Sequence, residues 1–327
     1  MSQPPPQVHF VVSAPRSGST WLARSLNTHP RIHATENRLF GMFCQTWQNR
    51  SGRSMPRITA DKFVQSLAGH SFWSELGFQS TGEFQAELLE HWCDCLTRWQ
   101  AQRSGKPVIV DKVTPYLGTA GTVLQQIARF FPEARLIHLL RDGRDVVTSG
   151  VFDWIGREPD RSEPQARIRE EFFVDQTVNR PLTRFLDDAS IRTWCRYWTE
   201  SNQVTGQACQ PSGPALPIRY EQMKQDQASV LKTVFQWLDV DDEDNVVNTC
   251  VEASSFRKTT GRAAGQADPL AKARRGVSGD WRNYFTRQDA RIFQEAAGAM
   301  LQQYGYEADD AWVEQCPEQL NLAPADR

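Results

Sequence analysis

The chain has 327 residues and a formal net charge of −2, enough for one large α/β domain or two small ones with a buried core. The near-neutral balance excludes a whole-molecule field that would gather nucleic acid or an anionic membrane, so any anion site must be local. Seven cysteines (44, 93, 95, 195, 209, 250 and 316) form an odd set without framework spacing, which excludes a disulfide scaffold and points to a reducing compartment.

The N-terminal Met-Ser-Gln-Pro-Pro-Pro-Gln has neither the basic nor the apolar region of a signal peptide, and no apolar run approaches a membrane span; a cytoplasmic protein is expected. An apolar, β-branched run over residues 8–12 reads as the first strand. It stops at Ser13-Ala14-Pro15-Arg16-Ser17-Gly18, and a helical pattern follows over about 19–27. A strand feeding a tight loop that opens a helix is a ready anion site, because the first-turn N–H groups converge there and the helix dipole adds partial positive charge. Gly18 admits close backbone approach, Ser17, Ser19 and Thr20 offer hydroxyls, and Arg16 offers charge-assisted donors. The loop is not a Walker A motif, since Ser19 stands where the lysine would be.

His29-Pro30 ends the first helix. Residues 31–75 are irregular in pattern and rich in aromatics (Phe40, Phe43, Trp47, Phe63, Phe72, Trp73), and read as an insertion walling an acceptor or as satellite packing. Ser80-Thr81-Gly82-Glu83 is a capping-box signature opening a helix in which Phe84, Leu88, Trp92, Cys95 and Trp99 recur at helical spacing. His91, Cys93 and Cys95 on that helix do not converge on one ion, so no metal is expected.

A second strand at 107–110 runs into Asp111-Lys112-Val113-Thr114-Pro115-Tyr116, and a helix at 122–131 leads to a third strand at 134–140, which breaks into Arg141-Asp142-Gly143-Arg144-Asp145 with Ser149 beyond. Strands alternating with helices predict a mostly parallel sheet of four or five strands, flanked by helices, with ligands at the carboxyl ends of the strands. Arg16, Asp111 and Arg141 all fall at those ends.

Residues 150–182 are polar and read as a mobile surface insertion. A helix is expected over 181–207, carrying Phe185, Trp194, Tyr197 and Trp198, then a strand at 216–220 and a helix at 230–238. Residues 239–244 read as a solvated acidic turn. The segment 257–280 concentrates Arg257, Lys258, Arg262, Lys272, Arg274 and Arg275 among glycines, and a helix over 286–304 follows. No internal repeat or linker divides the chain, so residues 1–327 are expected to form one domain.

Pro15-Arg16-Ser17-Gly18-Ser19-Thr20-Trp21 resembles the 5′-phosphosulfate loop of sulfotransferases that use 3′-phosphoadenosine 5′-phosphosulfate (PAPS), particularly the bacterial and carbohydrate-type members. Arg141 with Ser149 eight residues on is similar to that family's 3′-phosphate pair. Arg274-Arg275-Gly276-Val277-Ser278-Gly279-Asp280-Trp281 resembles its Arg-Lys-Gly-x-x-Gly-Asp-Trp lid, with Arg275 in place of the usual lysine. Tyr220, Ser255 and Phe256 fall where members place adenine- and ribose-side contacts, and Trp21 where an adenine-stacking ring sits. The resemblance implies a P-loop-like sulfotransferase fold in which 31–75 and 150–200 lie on the acceptor side and 257–280 closes over the nucleotide. It also implies PAPS as co-substrate and 3′-phosphoadenosine 5′-phosphate (PAP) as product.

Sulfuryl transfer to a hydroxyl, or less readily an amine, requires a base for the acceptor proton and stabilisation of the leaving oxygen. Arg16 is placed for the leaving oxygen. Asp111-Lys112-x-x-x-Tyr116 resembles the Glu-Lys-x-x-x-Tyr segment of carbohydrate-type members, making Asp111 the expected base and Lys112 a contact for the sulfonate; His33 and His70 are the next candidates. A small-molecule, lipid or sugar acceptor fits equally well, and oligomeric state is not readable. The competing readings are a small-molecule kinase, which lacks Walker A, and a non-catalytic phosphoadenosine-nucleotide binder.

Overall fold

The computed structural model describes residues 4–37, 39, 72–115, 117–118, 120–157, 184–210, 213–263 and 275–320. Its centre is a five-stranded sheet of β1 (Gln7–Val12), β2 (Ile32–Glu36), β3 (Val108–Val113), β4 (Leu136–Leu140) and β5 (Leu216–Arg219). The order is β2-β3-β1-β4-β5 and every pairing is parallel. The register pairs Gln7 with Val108, Phe10 with Leu136, Glu36 with Lys112 and Leu140 with Arg219, so the carboxyl ends of all five strands meet along one edge.

The helices that concern the site are α1 (Ser19–Asn27), α2 (Thr81–Ser104), α3 (Ala120–Phe130), α4 (Gly143–Arg157) and α5 (Asp188–Gly206). After β5 come α6 (Tyr220–Gln225), α7 (Gln227–Leu238), α8 (Asp244–Ala253), α9 (Phe256–Thr260) and α10 (Arg287–Gln303).

Successive residues of a strand point to opposite faces, and here both faces are covered. Val11, Val108, Val110, Ile137, Leu139 and Ile218 pack on one face with Leu22 and Leu26 of α1 and Leu231, Val234 and Phe235 of α7. Val8, Phe10, Val12, Ile109, Val113 and Leu136 pack on the other, with Cys93 of α2 and Val123 and Ile127 of α3. A third cluster joins α4, α5 and α10 to the C-terminal segment through Val147, Phe152, Trp198, Trp281, Phe293 and Trp312.

Where α4 crosses α5 the approach is close. A Cβ at Gly150 would lie 2.1 Å from Trp194 Cε2, so the crossing depends on glycine there. Arg144 is buried in the third cluster, its guanidinium carbon 3.9 Å from the Trp281 ring centroid and 4.6 Å from that of Trp312. It pairs with Asp142 at 2.8 Å and Glu307 at 2.5 Å.

Four expectations about elements change. Residues 32–36, read as part of an irregular insertion, form edge strand β2: Ile32 and Ala34 face the core on α1's side, and the backbone pairs with β3. The rest of that insertion, 40–71, lies outside the described residues. The polar segment begins later than expected, because Val151 and Phe152 extend the buried face of Val146 and Val147 and carry α4 to Arg157; residues 158–183 lie outside the described residues. Helix α5 starts at Asp188, where the Asp187 carboxylate caps it by accepting from Ser190 N. Finally, α2 turns Phe84, Cys93 and Thr97 inward and leaves Trp92 and Trp99 exposed, so the residues at helical spacing are divided between buried and exposed positions.

Candidate functional site at the carboxyl edge of the sheet

Between β1 and α1 the backbone takes a left-handed conformation twice, at Arg16 (φ 67°) and Gly18 (φ 89°). Gly18 is the N-cap of α1, and a Cβ there would stand 2.5 Å from Tyr220 Cδ2, so conformation and contact both demand glycine. Helices α2, α5, α7 and α10 are capped by the side chains of Ser80, Asp187, Asp226 and Thr286. Helix α1 has no side-chain cap and no acidic residue in its first turn. Its N–H groups and dipole therefore meet no protein carboxylate or hydroxyl acting as a cap, which is the arrangement an incoming anion uses. Ser17 and Ser19 are buried in this loop, and Ser17 Oγ has no partner among the described residues.

The other expected residues converge on the loop. From the end of β4, Arg141 Nη1 donates to the Arg16 carbonyl at 2.9 Å and Nη2 to the Val277 carbonyl at 3.4 Å. Its guanidinium carbon lies 4.4 Å from the Tyr220 ring centroid, and Nε is buried without a partner among the described residues. Burial opposes the Arg141 charge, but Asp145, Tyr220, Glu221 and Asp142 outweigh it and raise the pKa.

Ser149, on α4, accepts from Arg16 Nε at 3.1 Å. The Trp21 ring meets Tyr220 edge-on at 5.9 Å, its Nε1 donates to the Ser254 carbonyl at 3.0 Å, and Lys224 Nζ stands 5.5 Å from its centroid. Ser255 caps α9 by accepting from Lys258 N; Phe256 opens that helix, and its ring lies outside the described residues.

The described part of the glycine-rich segment, 275–281, is anchored by Asp145. Its Oδ2 accepts from Gly279 N at 2.8 Å and its Oδ1 from Trp281 N at 3.0 Å, while Arg141 pairs with it at 3.6 Å. Burial raises the Asp145 pKa, against Arg141 and these two N–H donors. Arg275 pairs with Asp280 at 3.1 Å, and Gly276 is left-handed at φ 65°. Arg274 and Tyr116 lie outside the described residues, as does His70.

The strand-end pair Asp111-Lys112 is divided by the pleat. Lys112 emerges on the face that carries α1, where its Nζ stands 3.4 Å from Glu36 Oε2; the same oxygen accepts from Thr20 Oγ1 at 2.9 Å. Asp111 points to the opposite face and is fully buried. Its Oδ1 accepts from Thr35 Oγ1 at 2.7 Å and its Oδ2 from Leu39 N at 3.0 Å. This is the geometry of a carboxylate that ties β2 and the residue beyond it to β3. His33, the reserve candidate, lies in β2 and its pKa is lowered by burial.

Reading the chain missed three carboxylates. Glu36 falls in the stretch 31–75 whose pattern is irregular; the signal for it is the alternation Ile32-x-Ala34 directly after a helix-ending proline. Asp153 meets Arg16 Nη1 at 2.9 Å and stands one helical turn beyond Ser149. Asp145 stands one turn beyond Arg141. Both follow from helical spacing once a helix is assigned there. Among the described residues no cluster of His, Cys, Asp and Glu is placed to hold a metal ion, and no helix is long and apolar enough to cross a membrane.

The β1–α1 loop, an arginine at the end of β4, a helix hydroxyl beside that loop and the glycine-containing segment 275–281 thus meet at one edge of the sheet. The sequence profile of the Sulfotransferase family matches residues 9–244, which spans β1 to the start of α8. Sulfotransferase 2A1 of Homo sapiens is 26% identical over 212 residues, covering 60% of this chain and 69% of the relative. Sulfotransferase 2A6 of Mus musculus is 23% identical over 209 residues, covering 60% and 67%. Among solved structures, mouse sulfotransferase SULT7A1 complexed with PAP aligns with a TM-score of 0.47 at 19% identity, over 94% of this chain and 88% of that one. A sulfotransferase from Alicyclobacillus acidocaldarius aligns at 0.45 and 15% identity, over 95% and 99%. With its family profile covering well over half the chain, this protein belongs to the sulfotransferase family.

Proposed function

We propose that residues 1–327 act as one sulfotransferase domain that moves the sulfuryl group of PAPS to a hydroxyl of a small-molecule, lipid or sugar acceptor and releases PAP. The observation that carries the reading is the uncapped start of α1 beside two buried donors without partners, Ser17 Oγ and Arg141 Nε. Both donors belong to the same loop and the arginine that grips it, and a buried donor gains from a partner, so the pair fits a site completed by an anion. The loop of Arg16 to Thr20 suits a 5′-phosphosulfate. Arg141, Ser149, Arg274, Arg275 and Gly276 suit the 3′-phosphate, and Trp21, Tyr220, Ser255 and Phe256 suit the adenosine.

In the transfer, the acceptor oxygen forms its bond to sulfur as the bond from sulfur to the bridging oxygen breaks, and the acceptor proton goes to a base. We assign that base to Glu36 in place of Asp111, because Glu36 is half-exposed beside the loop whereas both oxygens of Asp111 are held inside the protein. Lys112 orients the Glu36 carboxylate and adds positive charge near the sulfonate. Arg16 stabilises the charge that develops on the leaving oxygen. The free thiols of Cys93, Cys95, Cys195, Cys250 and Cys316 fit a reducing cytoplasm.

The test is transfer of label from ³⁵S-PAPS, beside γ-³²P-ATP, to a panel of phenols, sterols, sugars and amines. Sulfur transfer without phosphorus transfer supports the reading. Phosphorus transfer would make the chain a kinase, and tight PAP binding without any transfer would make it a non-catalytic binder.

A further inference from the structure

Two residues of α4 one turn apart, Ser149 and Asp153, share the Arg16 guanidinium: Nε donates to Ser149 Oγ at 3.1 Å and Nη1 to Asp153 Oδ1 at 2.9 Å. The ion pair is largely shielded, with side chains 11% and 14% exposed, so water screens it poorly. We propose that Asp153 is a positioning residue that holds the Arg16 guanidinium against α4 while the site is empty, and that an anion reaches Arg16 only by displacing this carboxylate. The inference rests on the reading of Arg16 as the group that faces the donor's sulfate.

Three features of the site lead to it. A hydroxyl alone orients a guanidinium without opposing an anion; a carboxylate beside the same guanidinium neutralises it and repels any second negative charge brought to the loop. The residue at 16 is arginine, whose planar fork offers several fixed donors and can satisfy two partners on one helix at once, which the single charged point of a lysine does less well. The left-handed backbone of Arg16 carries its side chain across to α4, while its carbonyl is gripped by Arg141 on the other side.

The consequence is selectivity. Inorganic sulfate or phosphate, with no adenosine to hold them, must compete with Asp153 unaided. A nucleotide also gripped through Arg141, Tyr220 and the lid brings the additional contacts needed to displace it.

Asp153→Asn keeps the shape and removes the charge, and calorimetry with inorganic sulfate and with PAP reads the effect. We expect both ligands to bind at least about tenfold more tightly to the variant, the order expected from removing a like charge a few ångströms away. Asp153→Glu should restore wild-type behaviour. A purely structural role predicts the opposite, weaker binding with a lower melting temperature. Unchanged or weaker sulfate and PAP affinity in a variant that melts like the wild type would overturn the proposal; should Asp153→Asn not fold, Asp153→Ser in the same assays decides it. If the wild type itself fails to bind PAP, the donor reading falls, while the ratio of sulfate affinities still judges the role of Asp153.

Discussion

Neighbouring carboxylates at the end of the sheet differ in what each can do, and the difference is one step of the pleat. Glu36 and Lys112 are register partners on the α1 face; Thr35 and Asp111 are register partners on the face that α1 does not cover. Glu36→Gln removes a base without removing shape. It should lower turnover by about 10²–10⁴-fold while leaving PAP affinity nearly intact, as single-turnover transfer beside calorimetry would show. Asp111→Asn turns one acceptor into a donor facing the Thr35 hydroxyl or the Leu39 N–H. It should cost about 1–3 kcal/mol in a denaturant titration, with turnover per folded molecule kept within about tenfold. Reversal of the two outcomes would return the base to Asp111. Gly18→Ala forces a Cβ into the Tyr220 ring and should abolish PAP binding more completely than it lowers the melting temperature. The glycine, the arginines and the lid were legible because their chemistry is carried by residue type and spacing. The face on which Asp111 and Lys112 each lie was not, since a strand buried on both faces gives no sign of which face its polar end will meet.

Among the elements, α4 does the most to assemble the site, presenting Asp145, Ser149 and Asp153 at successive turns to the lid and to Arg16. Its placement depends on the crossing with α5, where Trp194 fills the space beside Gly150. Gly150→Ala should therefore destabilise by about 1–3 kcal/mol through overpacking, and it should weaken PAP binding as well, because Ser149 is adjacent and Asp153 one turn on. Thermal melting with and without PAP separates the two effects; a variant that melts lower but gains the full wild-type shift from PAP would show that α4 keeps its register. The strands of the sheet centre could be read from the chain because parallel strands covered on both faces appear as unbroken apolar runs. Strand β2 lies at the edge and offers only Ile32 and Ala34 to the core, too short a pattern to stand out among loop residues. The α2 stripe misled for a related reason, since helical periodicity shows that a face exists but not that another element covers it.

At the scale of the whole molecule, the sheet buries titratable groups in its own centre. His9, in the middle strand, accepts from Arg135 N and is pushed down to about 4, by burial first and by Arg135 second. A depressed folded pKa means that the unfolded chain takes the proton more readily. This contribution to stability is therefore present above pH 6.5 and is lost as pH falls through about 4, at up to about 1.4 kcal/mol per pH unit in between. Denaturant titrations from pH 7 to 4 should show a shallower loss for His9→Gln than for the wild type; parallel curves would mean that His9 is already protonated in the fold. The same central strand has a consequence for the making of the protein. β1 leaves the ribosome well before its partners, which begin at Val108 on one side and Leu136 on the other. At about 5–20 residues per second, a strand apolar on both faces waits several seconds or more before either neighbour exists. The phosphate loop that follows it can close only later still, once Tyr220 has been made. The nascent chain therefore passes through a stage in which an apolar strand is complete and unsheltered, and yield on expression should respond to slower synthesis and to chaperones that hold extended apolar chain.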